Sequence, residues 1–532
     1  MKTIIDELSI IERDLLLKEI EKKFFNSNKS IEQADIKETE AISHNLLITN
    51  EENVAFSTHR RVINILVTNY IESKFPNNKI LLNKIFEFDY EENLALFASK
   101  HIEILPNVIE ELHVLFLNSE FYIKENILSR KKSKHYLREK GAVYTLRSIT
   151  REIVKNAIEK SNGSKKANEP IRCLDFACGT GRFYFEALDV LNSNYSIGLE
   201  DAICNNLFAI DLDNIALTIL KTKVISKFDK LNDSIISAIE KNIINRNALI
   251  PKTTLLDDEE LNIDFSVDFK KVFDTGGFNV VFSNPPFFIL KANNKNESEE
   301  KDSYVNQLQA KISREIKYFK ESGVYQYSIE GMLNYYQLSI EMIHRMTKKD
   351  GEIGIICPSS IFADLTARKL RKFLLTSNKL YSIRYYPESA KLFDNVSQST
   401  VIFYLKKGGA SSKMDVEIDE SRFEVDFDTI KHIFSQNLEI PLISKIEWSI
   451  LQKISKYNKL KEIEFIRNRR GELDLTLHKK FISNSNTGWR LVRGNMIGPN
   501  GIIDKNNEFV NIEDFISKNE VNTNDQRRNS TS

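Results

Sequence analysis

The first stretch of the chain repeats apolar positions every three or four residues. Ile4, Leu8, Ile11 and Leu15 share one helical face with charges between them, and a second helical run lies around Asn107 to Leu117. Residues 1–135 therefore read as a helical N-terminal region. Glu21 and Lys23 spell a fragment of a nuclease signature, but they lie on this helical pattern among many Lys and Glu with no strand-borne acidic partner, so the match reads as chance. From Pro170 the pattern changes. Short apolar runs IRCLDF (171–176), NLFAIDL (206–212), FNVVFSN (278–284), GEIGIICP (351–358), YSIRYYP (381–387) and TVIFYLK (400–406) alternate with longer helical segments. Strands interleaved with helices predict a mainly parallel sheet covered on both faces, with ligands at the carboxyl ends of its strands.

Two breaks interrupt this α/β pattern. Residues 291–322 are polar and directly follow a strand end, so they read as a mobile loop or lid. After Lys407-Gly408-Gly409-Ala410-Ser411-Ser412 the alternation weakens, which puts a boundary near 410 and the sheet's end near Leu405. The predicted division is a helical region at 1–135, an α/β domain at 136–410 and a third region at 411–532. From about residue 518 the tail, SKNEVNTNDQRRNSTS in full, is polar without apolar periodicity and is expected to be disordered.

Composition narrows the field. A chain of 532 residues is long for one domain. Seventy-five Lys and Arg balance seventy-five Asp and Glu, which excludes a polybasic protein while leaving room for local basic patches. Cys173, Cys178, Cys204 and Cys357 have neither the number for a disulfide framework nor paired zinc spacing, so reduced thiols and no metal are expected. The start, MKTIIDELSIIERD, mixes acids among its apolar residues and reads as no signal peptide, and no apolar stretch approaches the ~20 residues of a membrane span. A cytoplasmic protein with no membrane partner is the expectation.

The chemistry begins at Asp175-Phe176-Ala177-Cys178-Gly179-Thr180-Gly181-Arg182-Phe183, between a strand and the helical run FYFEALDVL. Glycines there permit a tight turn and bring backbone N–H groups close to a ligand. A dinucleotide fingerprint needs a third glycine where this chain has Tyr184. An acid ahead of the glycines fits a nucleoside with an amino-acid tail, because Asp175 can accept a hydrogen bond from the ammonium of a methionine moiety. Asp211 ends the next strand, where its carboxylate can hold two ribose hydroxyls. An ordinary strand-to-helix turn is the plain alternative for the loop alone.

The second signal is Asn284-Pro285-Pro286-Phe287 at the end of FNVVFSN. Two prolines stop a central ladder and stiffen the turn, so Asn284 and the Pro285 carbonyl are held at the strand's carboxyl end. Two adjacent acceptors followed by an aromatic ring suit a planar substrate bearing an –NH2 group. With a glycine loop on the same predicted sheet, a plain strand-ending turn no longer accounts for the pattern.

LDFACGTGRF together with SNPPF resembles the adenine-specific, amino-group DNA methyltransferases that use S-adenosylmethionine, in the order where the cofactor motif precedes the catalytic one. Gly141-Ala142-Val143-Tyr144-Thr145 is similar to the G-x-x-Y-T-P segment of that family, with Leu146 in the proline's place; Phe176 likewise replaces the proline of D-P-A-C-G. NYYQLSIEMIHRM, GEIGIICPSSIF and LRKFLL are similar to the late core of the larger restriction–modification enzymes. EFIRNRRGELDLTLHKKFI with GWRLVRGNMIG is similar to the start of their target-recognition region, particularly in type IIS systems. The resemblance covers roughly residues 135 to 500, with specific motifs at 141–145, 174–183 and 278–287.

The resemblance implies a Rossmann-like S-adenosylmethionine-dependent methyltransferase sheet and a site-specific enzyme that methylates adenine in duplex DNA. It implies cofactor contacts from Tyr144, Thr145, Asp175, Ala177, Cys178, Gly179, Gly181, Phe183, Asp211 and Asn247. Catalysis falls to Asn284, Pro285, Pro286 and Phe287, with the adenine flipped out of the helix. The basic positions Arg467, Arg469, Arg470, Lys479, Lys480, Arg490 and Arg493 are the expected DNA contacts, and a cognate restriction endonuclease or second methyltransferase is the expected functional partner. The competing readings are methylation of another amino group (DNA cytosine, RNA adenine or protein glutamine), a nicotinamide oxidoreductase, and a non-catalytic DNA-recognition subunit. Because a recognition region of this family should continue past GWRLVRGNMIG with more strands, the recognition module is expected to be incomplete or completed by a partner.

Overall fold

The computed structural model describes residues 1–25, 30–35, 54–132, 145–162, 169–252, 262–265, 267–291, 303–393, 398–459, 462–463, 478–485, 488–499, 501–503, 508–511 and 514–515. By its internal contacts the chain divides into two units, Met1–Gln452 and Lys453–Ser532.

The first unit is built on one mixed sheet whose described strands, numbered in chain order, are β1 Cys173–Phe176, β2 Leu207–Asp211, β3 Ile243–Asn245, β4 Phe278–Ser283, β5 Thr347–Pro358, β6 Lys379–Tyr386, β7 Thr400–Lys406, β8 Lys413–Ile418 and β9 Ser421–Asp426. Their spatial order is β3-β2-β1-β4-β5-β7-β6-β8-β9. From β3 to β5 all neighbours run parallel, and β7 runs antiparallel to both β5 and β6. This is a Rossmann-like sheet, as the motifs imply. All four residues of β1 are buried, as a parallel strand covered on both faces requires. The chain leaves β1 toward β2 and β3 on one side and returns to β4 and β5 on the other, so the crevice at the ends of β1 and β4 is the switch point where such sheets bind ligands.

The helices of nine or more residues are α1 Lys2–Phe24, α2 Val54–Lys74, α3 Glu92–Lys100, α4 Leu105–Leu117, α5 Arg147–Asn162, α6 Arg182–Tyr195, α7 Asn214–Ile225, α8 Asp233–Asn242, α9 Ser303–Glu321, α10 Tyr335–Met346, α11 Arg368–Thr376 and α12 Lys445–Ile454. The N-terminal region is helical as read, with one addition: Ser119–Lys124 and Ile127–Lys132 pair as an antiparallel hairpin. Glu125 and Asn126 turn that hairpin at φ 52° and 61°. Leu8, Ile20, Ile63, Leu66, Val108 and Leu112 belong to the same apolar cluster as Ala187, Leu220 and Phe282 of the α/β domain. α1 to α4 therefore share a core with one face of the sheet. The opposite face carries a second cluster around α10, α11, Ile355 and Phe403.

Two expectations change. The sheet continues past Leu405 through the β8–β9 hairpin, in which Asp419 and Glu420 both take positive φ. Its residues alternate buried and exposed, so its signal is period two rather than a continuous apolar run. The segment read as a loop or lid is in part the helix α9, on which Ile312, Tyr318 and Phe319 are buried; residues 292–302 lie outside the described residues. No helix among the described residues is long and apolar enough to cross a membrane.

The second unit holds two-residue strands: Ile482–Ser483 and Trp489–Arg490 both pair with Phe509–Val510, and Ile497–Gly498 pairs with Gly501–Ile502. Phe515 meets both His478 and Phe481 edge to face. The tail expected to be disordered lies outside the described residues.

Candidate active site

After β1 the backbone enters left-handed conformations at Ala177, Gly179 and Gly181, with φ 57°, 52° and 85°. A Cβ on Gly181 would stand 2.4 Å from Leu220 Cδ1 of α7, so this position needs glycine for both φ and space. A Cβ on Gly179 would meet nothing within 4 Å, which marks the open side of the loop. The Cys178 N–H donates to the Ile210 carbonyl at 3.2 Å, and the Gly179 N–H donates to Asp211 Oδ2 at 2.7 Å. The glycine loop is thus folded against the end of β2.

Two carboxylates flank it. Asp175 is 1% exposed; its Oδ2 accepts the Tyr184 N–H at 2.9 Å, and its Oδ1 has no hydrogen-bond partner among the described residues. Burial holds its carboxyl well above the usual range; the Tyr184 N–H pulls the other way and nearby Asp211 adds to the rise. Asp211 is pushed up to about 6, chiefly by burial, against the N–H groups of Asp213 and Gly179 that favour its charged form. A buried acid with a bare oxygen is costly unless a cation or donor meets it. The ammonium of a methionine moiety at Asp175 and ribose hydroxyls at Asp211 fit that requirement.

The second motif closes on the same place. Phe176 and Ser283 are register partners on the parallel strands β1 and β4, and Ser283 Oγ donates to the Phe176 carbonyl at 2.6 Å. Asn284 is half-buried and its Nδ2 donates to Thr145 Oγ1 at 2.9 Å. Arg182, from the start of α6, donates through Nη1 to the Thr145 carbonyl at 2.8 Å. Thr145 therefore stitches the glycine loop to the Asn-Pro-Pro-Phe turn. Pro285 is buried, while Pro286 and Phe287 are half-buried. The Phe287 ring meets Phe393 edge to face at 6.0 Å, and Phe288 stacks on Tyr335 at 5.7 Å.

Most predicted site residues thus come together: Thr145, Asp175, Ala177, Cys178, Gly179, Gly181, Asp211, Asn284, Pro285, Pro286 and Phe287. Phe183 does not face the crevice. It is buried and stacked on Phe282 at 5.8 Å, so it packs beneath the loop as core. Burial raises the Cys178 thiol well above its ordinary value, which leaves the loop's own geometry, rather than a thiolate, as that residue's contribution. Asn247 begins a short strand, Asn247–Pro251, and its Oδ1 accepts the Leu249 N–H at 3.1 Å. Asn245, which the pattern did not single out, donates to the carbonyls of Asp211 and Leu212 at 3.0 Å each and braces the end of β2. Phe393 was also missed; an isolated Phe in a loop has no periodic signal. Tyr144 lies outside the described residues, as do Arg467, Arg469 and Arg470. Lys479, Lys480 and Arg490 are exposed. Arg493 is held in a forked pair with Glu508 at 2.5 and 2.8 Å, so its guanidinium braces the second unit's own fold.

Residues 205–393 match the profile of the Eco57I restriction-modification methylase family. Over 430 residues the chain is 23% identical to the type II restriction enzyme and methyltransferase RM.Eco57I of Escherichia coli, covering 74% of this chain and 40% of that protein. The chain therefore spans well under half the length of the curated relative it matches. Among solved structures, the DrdV–DNA complex is 16% identical with a TM-score of 0.45, covering 88% of this chain and 45% of that one. The M protein of the type I enzyme EcoKI is 12% identical with a TM-score of 0.34, covering 78% and 71%.

Proposed function

We propose, on the premise that residues 205–393 are an Eco57I-type restriction–modification methylase domain, that this chain transfers a methyl group from S-adenosylmethionine to the exocyclic amino nitrogen of adenine in duplex DNA. The observation that carries the reading is the register pairing of Phe176 with Ser283, which puts the Asp175 loop and the Asn-Pro-Pro-Phe turn at adjacent strand ends. When bound, S-adenosylmethionine supplies an electrophilic methyl group whose sulfonium is already a good leaving group. The protein's part is position and electrostatics. Asp175 takes the ammonium, and Asp211 takes the ribose hydroxyls.

With Nδ2 turned toward Thr145, Asn284 directs its side-chain oxygen to the substrate amino group, and the Pro285 carbonyl accepts that group's second hydrogen. Both acceptors draw the nitrogen lone pair out of the ring. Bound beside them, the cofactor would supply the methyl group, the new N–C bond replacing its C–S bond and the displaced amino proton going to solvent. Phe287 stacks on the base. The edge of Phe393 against it fixes the ring that does so. Because the adenine amino group is paired inside a duplex, the base must be flipped at an unpairing cost that contacts to the surrounding helix offset. Lys479, Lys480 and Arg490 are the described basic groups proposed for phosphates. A restriction endonuclease or second methyltransferase acting at the same site would be the functional partner.

Incubation with cofactor labelled in its methyl group and with DNA, RNA or protein separates the substrate classes. Label on duplex DNA, recovered as N6-methyladenine, is expected. Label only on cytosine, RNA or glutamine would replace this reading.

A further inference from the structure

The N-terminal helices touch the glycine loop through a carboxylate. Glu110 of α4 accepts through Oε1 a hydrogen bond at 2.6 Å from Thr180 Oγ1, the residue between the loop's two glycines. Its Oε2 accepts from Lys223 Nζ of α7, also at 2.6 Å. Thr180 is 1% exposed, and the side chains of Glu110 and Lys223 are each 16% exposed. Lys223 Nζ also stands over the Phe185 ring of α6, 4.8 Å from its centroid. The ammonium is thus held between a ring face and a carboxylate, and it fixes one oxygen of Glu110 while the other faces Thr180.

Gly179 and Gly181 give the loop its left-handed turns, and the same freedom lets an empty loop take other conformations. Leu220, one turn before Lys223 on α7, crowds the loop at Gly181, while the side at Gly179 is open. Between them the Thr180 side chain is a tether. A threonine hydroxyl beside a helix start can bond within its own turn. This one reaches 70 residues back along the chain, to a helix outside the α/β domain. Lys223 already matches the charge of Glu110, so the effect of the added hydroxyl falls on the loop.

We propose that Glu110 is a positioning residue for the cofactor, and that α4 clamps the glycine loop in its binding conformation through the Thr180 hydroxyl. This rests on the reading of that loop as part of the S-adenosylmethionine site. Held by the clamp, the loop keeps the Gly179 N–H on Asp211 Oδ2 and its open side toward the crevice. Without it the loop is competent for only part of the time, and apparent affinity falls by that fraction. The N-terminal helices thereby serve the cofactor without touching it.

Calorimetric titration of the full chain with S-adenosylmethionine compares the wild type with Thr180→Val, Thr180→Ser, Glu110→Ala and the Thr180→Val/Glu110→Ala double variant, with melting followed alongside. Valine keeps the branched shape of threonine and leaves the Glu110–Lys223 pair in place. Thr180→Val is expected to bind about tenfold more weakly, the loss of one hydrogen bond to a charged group, and Thr180→Ser to stay within about twofold of the wild type. Glu110→Ala should bind about tenfold more weakly as well, and adding Thr180→Val to it should cost nothing further. Unchanged affinity in Thr180→Val, even with lowered melting, makes the contact a brace of the fold alone and overturns the clamp. Serine as weak as valine overturns it too. An equal loss from valine with and without Glu110 assigns the effect to Thr180 itself and removes Glu110 from the site. A wild type that binds no cofactor sinks the reading of the loop and the clamp with it. Should Glu110→Ala fail to fold, Glu110→Gln takes its place: its weaker amide acceptor must shrink the valine effect, and an undiminished effect overturns the proposal.

Discussion

The two ends of the chain are built in opposite ways. The N-terminal helices bury Leu8, Ile63, Leu66 and Leu112 completely, in a cluster continuous with the sheet. The second unit, among its described residues, buries only Phe481, Met496 and Val510 of its apolar side chains, between strands of two residues each. A region that shares a core with the site can bias its geometry, because packed interiors transmit strain. A region of short strands and exposed lysines has adaptable polar surface instead. The first kind suits holding a cofactor; the second suits following a charged backbone.

The largest expected effect falls on neither flank. Asn284→Ala should lower methyl transfer by at least ~100-fold while leaving cofactor affinity nearly unchanged, measured by labelled turnover and by calorimetry. Near-normal turnover would remove the Asn-Pro-Pro-Phe turn from the chemistry and reopen both flanks as its seat.

Asp211→Asn comes next and has two signs. Cofactor affinity should fall by ~10-fold or more, because a neutral amide is a weaker acceptor than a carboxylate. The empty protein should melt higher at pH 8. Burial raises Asp211 to about 6, above its value in an unfolded chain, so its favourable contribution is complete only below about 4 and is lost as pH rises through 6. At pH 8 the folded wild type thus carries the cost of a poorly solvated charge that the amide lacks. Lower melting of Asp211→Asn at pH 8 would contradict this balance.

Leu112→Ala tests the shared core directly. Leu112 is completely buried on α4, so the change should cost ~3 kcal/mol and lower the melting of the catalytic sheet with it. Phe481→Ala should leave that transition and cofactor binding untouched. If instead the N-terminal helices melt separately from the sheet, the contrast drawn between the two ends fails.

The smallest effect concerns the second unit. Lys480→Ala should weaken DNA binding roughly uniformly across sequences and reduce the slope of log affinity against log salt by about one. A change in sequence preference, rather than in salt slope, would assign Lys480 to base contacts.

The legible parts of the sequence were those where one physical cause acts alone. β1 and β4 are buried on both faces, so their apolar runs announced them. The glycine loop carried its own steric requirement at Gly181, and two consecutive prolines marked the turn after β4. What escaped was set by tertiary neighbours. Phe183 belongs to the glycine motif by position, yet it faces Phe282, a choice made by the packing of α6 on the sheet. The β8–β9 hairpin is half exposed, so its alternating pattern looked like the fading of a domain. The buried contacts of His59 with Glu12 and His113 join three helices far apart in sequence, and nothing local distinguishes those residues from surface polar groups. Arg493 read as one of a run of cations until its fork with Glu508 was visible.

The pairing of Phe176 with Ser283 also decides where this chain tolerates changes in length. Deleting one residue within β4 would draw Asn284 back by ~3.3 Å and turn the strand's inward side chains outward. No neighbouring loop could restore both the reach and the facing. At the far edge of the sheet, by contrast, residues can be added at the Asp419–Glu420 turn with little consequence, because that turn is exposed and touches neither motif. Insertions there should be neutral, while those in β4 should be lethal to activity even in molecules that still fold.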